Sequence, residues 1–152
     1  MSVFNSFNIN ASALTAQRLR MDVVSSNIAN SQTTRAVMNA DGEFEPYRRK
    51  MVTLQPGSNN FKSFLSKAMS KSETNQTTGV RVSNIIDDET PFKVEYNPEH
   101  PDANEEGYVE LPNVDPLKEM VDLMSATRSY EANVTSLNAN KGMLMKALEI
   151  GK

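Results

Sequence analysis

An α+β fold, with a long helix at each end and a small β-rich stretch between them, is predicted by three patterns in the chain. The first is a seven-residue apolar repeat near the start: Phe7, Leu14, Met21 and Ile28, with Val3, Ala11 and Val24 beside them. The second is its counterpart near the end: Leu123, Tyr130, Leu137 and Leu144, with Met120, Val134 and Leu148 completing the stripe. The third is apolar–polar alternation in the residues between. Apolar side chains at every seventh position keep one seam of a helix turned toward a partner, as in a coiled coil. The seams are expected to pair with each other, with copies of themselves, or with both. Such a pattern belongs to a building block more than to a pocket.

The first helix is expected over residues 3 to about 31, roughly 40 Å long at ~1.5 Å per residue. Its polar face carries only Arg18, Arg20 and Asp22 as ionisable groups and is otherwise Ser, Asn, Thr and Gln. A solvent-facing helix normally has more ion pairs at i,i+4, so this one is expected to be buried in an assembly. The second helix has a clear start: Pro112 closes the preceding strand, Asp115 caps, and Pro116 sits where its missing N–H costs nothing. It should run to about Ile150 and stop at Gly151, with local weakening at Gly142.

Between the helices, Glu45 to Leu54 reads as extended. Val80, Val82, Ile85 and Ile86, then Phe92, Val94 and Tyr96, flank the polar run Asp87-Asp88-Glu89-Thr90-Pro91 and predict a β-hairpin. Tyr108 to Leu111 predicts another short strand. Residues 57–79 read as a surface insertion, within which Phe61, Phe64, Leu65, Ala68 and Met69 have helical spacing. The expected organisation is therefore residues 1–34 and 113–152 as one discontinuous helical domain, with a β-rich domain over 35–112 that includes the insertion.

Composition bounds the function. Mean hydropathy is −0.51 and tryptophan is absent, which argues against a large self-sufficient core. The 9 methionines suit repeated, slightly inequivalent contacts because the thioether chain adapts. The absence of cysteine removes disulfides, thiolate nucleophiles and cysteine metal sites together. A net charge of −3 argues against a general nucleic-acid binder. No apolar run is long enough to span a membrane, and Met1 to Ser6 has neither the basic nor the apolar region of a cleavable signal.

Chemistry finds little support. His100, the single histidine, sits in a turn among Pro98, Glu99, Pro101 and Asp102 with no nucleophile nearby, and one histidine without cysteine is a poor zinc site. Asp102 to Gly107 imitates the start of a calcium loop, with Asp102, Asn104 and Glu106 as oxygen ligands, but Asn113 stands where a bidentate Glu would close the shell. No catalytic residue, cofactor or small-molecule substrate is indicated. Arg48-Arg49-Lys50 is expected to block edge pairing or to meet an acidic neighbour such as Asp87-Asp88-Glu89 or Glu105-Glu106 on an adjacent subunit.

Longer stretches carry a resemblance. Ser25 to Arg35 (SSNIANSQTTR) resembles the N-terminal signature of bacterial flagellar rod and hook proteins. Pro46 to Lys50, Asn97 to Val109, Pro112 to Pro116, Glu119 to Met124 and Arg128 to Val134 extend it, in order, toward proximal rod proteins; residues from about Pro56 to Gly79 depart from it as extra length. The resemblance implies a non-enzymatic axial protein of the basal body, part of the periplasmic drive shaft. It implies export by the flagellar type III apparatus without a cleavable signal. The implied partners are other proximal and distal rod subunits and the proteins where the membrane ring meets the rod. The assembly residues expected from the seams are Phe7, Leu14, Met21, Ile28, Met120, Leu123, Tyr130, Val134, Leu137 and Leu144. Asn27, Asn30, Asn133 and Asn138 are expected to fix register through amide hydrogen bonds, and the ends to be largely disordered until neighbours bury their seams. A soluble coiled-coil adaptor of fixed size and an ion-binding protein are the competing readings.

Overall fold

The structure, a computed structural model, describes residues 4–39, 42–57 and 78–150. In chain order the elements are α1 (Asn5–Ala29), β1 (Val37–Met38), β2 (Phe44–Glu45), β3 (Lys50–Pro56), β4 (Val80–Asp87), β5 (Lys93–Tyr96), β6 (Tyr108–Leu111) and α2 (Pro116–Ile150). Two long helices with small β-sheets between them make an α+β chain. The helix expected within residues 57–79, and the flanking Val3 and Gly151, lie outside the described residues.

Both helices are bounded by local chemistry. At the end of α1 the last carbonyls accept from both the backbone and the side chain of the residues that follow: Ser26 O from Asn30 N and Nδ2, at 3.0 and 2.9 Å, and Ile28 O from Ser31 N and Oγ, at 3.2 and 2.8 Å. At the start of α2, Asp115 Oδ1 accepts Leu117 N at 3.1 Å and Pro116 occupies the first helical position. The helix then continues through Gly142, around which a Cβ would meet open space.

The strands pair as three two-stranded sheets, β1 with β2, β3 with β4, and β5 with β6. Val37 lies opposite Glu45 and Met38 opposite Phe44, with Gly42 at φ 84° in the turn. Lys93 lies opposite Leu111 and Tyr96 opposite Tyr108, with Gly107 at φ 82° preceding β6. The hairpin expected across Asp87–Pro91 is thus not formed. β4 pairs with β3, and the ladder runs on past its end because Asp88 N donates to Arg49 O at 2.8 Å. The polar break is then held away from a hairpin turn by Asn113, whose Nδ2 donates to Asp88 O and to Thr90 O and Oγ1. Glu45 to Leu54, expected as one extended run, is split between β2 and β3, with Pro46 to Arg49 between them.

The chain divides into two compact units. One comprises Met1–Leu19, Thr53–Asn84 and Ala126–Lys152. Among its described residues the buried apolar ones are Ala16 and Ala126, and α1 meets α2 through Asn10 Nδ2 donating to Ser136 Oγ at 3.3 Å. Ser12 Oγ donates to Ile9 O and accepts Val80 N, fastening the start of β4 to α1. The other unit comprises Arg20–Val52 and Ile85–Ser125. Val23, Val24, Tyr47, Val109 and Val114 are buried in it, together with two polar residues, Asn27 and Glu119. A core this small leaves specificity to polar groups.

Candidate functional site

Within the second unit Asn27 is completely buried, and every hydrogen-bonding position of its amide is used. Its Oδ1 accepts Tyr47 OH and Lys50 N, each at 3.0 Å. Its Nδ2 donates to Lys50 O and to Glu119 Oε2, each at 2.9 Å. One side chain on α1 therefore holds the backbone of β3 and a side chain of α2. A buried amide left half-satisfied is costly, so the arrangement admits one register only.

Glu119, 1% exposed, passes the connection on. Its Oε1 accepts Arg49 Nε at 2.7 Å, and the same guanidinium reaches Asp88 at 3.4 Å and Asp122 at 3.6 Å. Arg20 on α1 meets Asp122 as well, at 3.5 Å. Burial by itself would lower the Arg49 pKa, but the bonds and charges of Glu119 and Asp88 outweigh it and hold the guanidinium above its ordinary value. Asp88 is held below the usual carboxylate range first by the Thr90 N–H and then by the Thr90 hydroxyl and Arg49, against a smaller opposing effect of burial. Asn113 completes the node: its Oδ1 accepts Arg49 N at 2.8 Å.

The remaining basic residues near this node also find partners in their own chain. Arg48 stacks over the Phe92 ring at 4.4 Å and Lys50 Nζ lies 5.9 Å from the Tyr47 ring. Within the chain, Arg49 of the Arg48–Lys50 cluster therefore meets Asp88, joined by Glu119 and Asp122.

A second tie closes the loop after α1. The Asp102 carboxylate accepts Thr34 Oγ1 at 2.7 Å and is paired with Arg35. It is lowered in pKa first by the Thr34 hydroxyl and then by Arg35. Asn104 Oδ1 accepts Glu106 N and Tyr108 N, and His100 Nδ1 accepts Asp102 N. Asp102 and Asn104, two of the three oxygens considered for calcium, thus serve the turn, and a cation would have to displace those bonds. Among the described residues no group of three or more His, Cys, Asp or Glu is placed to hold a metal.

The seam residues lie as follows. Phe7, Leu14, Met21, Ile28, Leu123, Tyr130, Val134, Leu137 and Leu144 are each half-buried, Val24 is buried, and Met120 and Leu148 are exposed. Asn30 and Asn133 each donate to a carbonyl of their own helix, Ser26 O and Ser129 O, and Asn138 is exposed. Of the four asparagines, Asn27 is the one whose amide bonds to the other helix.

The side of α2 facing away from Glu119 carries a feature of which the heptad pattern displays only Met120. Leu117, Met120, Val121 and Met124 are 71, 44, 60 and 54% exposed. At ~100° per residue they fall on one stripe, about opposite Glu119 and Ala126. A contiguous apolar stripe left in water marks an interaction surface. The i, i+3, i+4, i+7 spacing was available in the sequence, but periodicity alone does not say which of two apolar faces the chain covers itself.

Comparisons with known proteins agree with this picture of a helical building block. Residues 7–36 match the family described as flagella basal body rod protein, and residues 105–150 match the C-terminal family of flagellar basal body rod FlgEFG proteins. The flagellar basal-body rod protein FlgC of Bacillus subtilis is 64% identical over 152 residues, covering 100% of both chains. The FlgC protein of Borreliella burgdorferi is 43% identical over 99% of this chain and 98% of its own. That of Salmonella typhimurium is 40% identical over 100% of both. With end-to-end identity at this level and a register node and apolar stripe suited to packing, the chain belongs to the FlgC family of flagellar basal-body rod proteins, structural components of the proximal rod and not enzymes.

Proposed function

We propose that this protein polymerises into the rod by burying the outer stripe of α2 and the uncovered half of both heptad seams against the terminal helices of neighbouring subunits. The observation that carries the reading is the exposure of Leu117, Met120, Val121 and Met124 on a helix whose opposite face is already occupied. Burying four such side chains contributes several kcal/mol at ~25 cal/mol per Å² of apolar surface, enough to favour addition of a subunit to a growing end. Among the described residues Phe7, Leu14, Met21, Ile28, Leu123, Tyr130, Val134, Leu137 and Leu144 would then gain the rest of their burial in a coiled-coil inner layer. The β-rich residues 35–112 would form the outer domain, and Asn27 would hold the two parts in register.

In this role the protein transmits torque as one segment of a shaft lying in the periplasm. Its partners are proximal and distal rod subunits, the proteins joining the rod to the membrane ring, and the flagellar type III export apparatus that delivers it. No helix among the described residues is long and apolar enough to cross a membrane.

Val121→Asp tests the reading. Its side chain is exposed, so the isolated subunit should keep its fold, while an unpaired charge in the assembled interface costs several kcal/mol. The expected result is a wild-type circular dichroism spectrum with loss of basal-body rods and motility. Normal rods and swimming would refute it, and a closed oligomer of fixed size in the wild type would favour a coiled-coil adaptor.

A further inference from the structure

The second unit has an outward surface that the node and the helix stripe do not use. A cleft of about 460 Å³ lies between the loop after α1, β2 and the β5–β6 sheet, with Phe44 and Tyr108 on its apolar sides and Pro46 and Pro101 beside them. That volume falls in the range (~300–1,000 Å³) of sites that seat small ligands or inserted side chains. Tyr96 extends the aromatic surface: its ring stands edge-on to Tyr108 at 5.3 Å, and Val94 lies on the same sheet face, with Val94 62% and Tyr96 65% exposed.

Two carboxylates, Glu43 and Glu110, line the cleft, and neither side chain is paired among the described residues. Asp102 lies there too, but Thr34 and Arg35 already occupy it. The Arg35 guanidinium sits 5.5 Å from the Phe44 ring centroid, so these walls already accept one cation over an aromatic face. Aromatic walls with two free carboxylates call for a ligand that is apolar and cationic together. Glu95, Glu99, Glu105 and Glu106 on the neighbouring strand and loops make the surroundings more acidic still, which disfavours an anionic partner.

One stretch of this chain has the required chemistry. Residues 58–77, outside the described residues, hold Phe61, Phe64, Leu65 and Met69 interleaved with Lys62, Lys67 and Lys71, against a single acidic residue, Glu73. It is a cationic, aromatic-bearing segment in a chain whose net charge is −3. Two different, mutually complementary surfaces on one chain generate a head-to-tail contact, which repeats as an open helix when its rotation does not close; a self-complementary patch would close a pair.

We propose that the Phe44–Tyr108 cleft seats the Phe61–Lys71 stretch of a neighbouring copy, with its lysines against Glu43 and Glu110 and a phenylalanine between the rings. This rests on the rod reading above and adds a second, lateral contact to the helical one. Charge reversal at two such pairs lowers contact occupancy by about fivefold or more, each exposed pair contributing ~0.2–1 kcal/mol and each 1.4 kcal/mol being a factor of ten.

The test uses the full chain in isolated basal bodies. A photoreactive phenylalanine analogue replaces Phe64, and ¹⁴N- and ¹⁵N-labelled copies are made in the same cells by changing the nitrogen source between two rounds of induction before assembly. The expected result is mixed-isotope crosslinks from position 64 to peptides containing Phe44 or Tyr108. These should fall about fivefold with Glu43→Lys/Glu110→Lys and recover when Lys62→Glu/Lys67→Glu is added. Crosslinks within single copies only, crosslinks to a different rod or ring protein, crosslinks insensitive to charge reversal, or none would each overturn the proposal. Recovery of the protein in the same basal bodies is scored separately; its absence would instead overturn the rod reading.

Discussion

Asn27 Nδ2 donates to Glu119 Oε2 at 2.9 Å, joining residues 92 positions apart in the chain and both almost fully buried. Each satisfies the other, and each is then satisfied by the β3 region, through Lys50 and Arg49 respectively. Removing either leaves the partner's polar atoms dry and unpaired.

Asn27→Ala should therefore destabilise the protein by about 2–4 kcal/mol, well above the cost of a surface asparagine. Asn30→Ala removes only the local bonds to Ser26 O and from Thr33 Oγ1 at the end of α1 and should cost about 1 kcal/mol or less. Urea unfolding of the two variants checks the contrast. In a double-mutant cycle, Asn27→Ala and Glu119→Ala should show coupling of about 1–3 kcal/mol, because the second substitution removes the group that the first has orphaned.

Arg49→Lys keeps the charge but loses the fork that spans Glu119, Asp88 and Asp122. An ammonium is one compact point of charge and cannot face three carboxylates in those directions. Thermal unfolding should show a loss of about 1–3 kcal/mol. Arg48→Lys, which disturbs only the stacking over Phe92, should cost less than about 1 kcal/mol.

Gly79→Ala should be poorly tolerated, because the new Cβ would lie 2.2 Å from Ser12 Oγ and 3.1 Å from its Cβ. Overpacking of this kind costs about 1–3 kcal/mol. Ser12→Ala/Gly79→Ala should recover part of that loss, although the bond from Val80 N is gone. Gly142→Ala gives the opposite sign. Its Cβ would meet nothing, and a helix-interior alanine is worth up to ~1 kcal/mol over glycine. Denaturant midpoints of the three variants test both directions.

The acid limb of stability should report Asp88 and Asp102. Both carboxyls have folded-state pKa values below the ordinary 3.8. The stability they contribute is therefore fully present above that value, and it is lost as pH falls through the lower folded-state values. Unfolding free energy should drop as pH falls below about 4, and the drop should be shallower in Asp102→Asn. Equal slopes in wild type and variant, measured by denaturant titration from pH 2 to 7, would show that the Thr34–Asp102–Arg35 tie does not set it.

The parts legible in the sequence were those written locally. The start of α2 was readable because Asp115 and Pro116 act on the turn they begin, whereas Asn27 was one of four helix asparagines expected to fix register, with nothing local to set it apart from the other three. Glu119 did not stand out either, since a glutamate in a helix's first turn reads as an ordinary favourable charge until its partner across the fold is known. The misplaced β-hairpin has the same origin. Alternation over Val80–Ile86 and Phe92–Tyr96 marks strands but does not name their partners, and Asn113, far along the chain, keeps the turn from closing. The outer stripe of α2 was hidden by the heptad beside it, which uses the same residue types.

Methionine footprinting tests most directly whether that stripe is an interface. Met120 and Met124 are 44 and 54% exposed in the subunit, so brief peroxide treatment of the isolated protein should oxidise both readily. In purified basal bodies both should be protected several-fold. Equal oxidation in subunit and rod would contradict burial of this face on assembly.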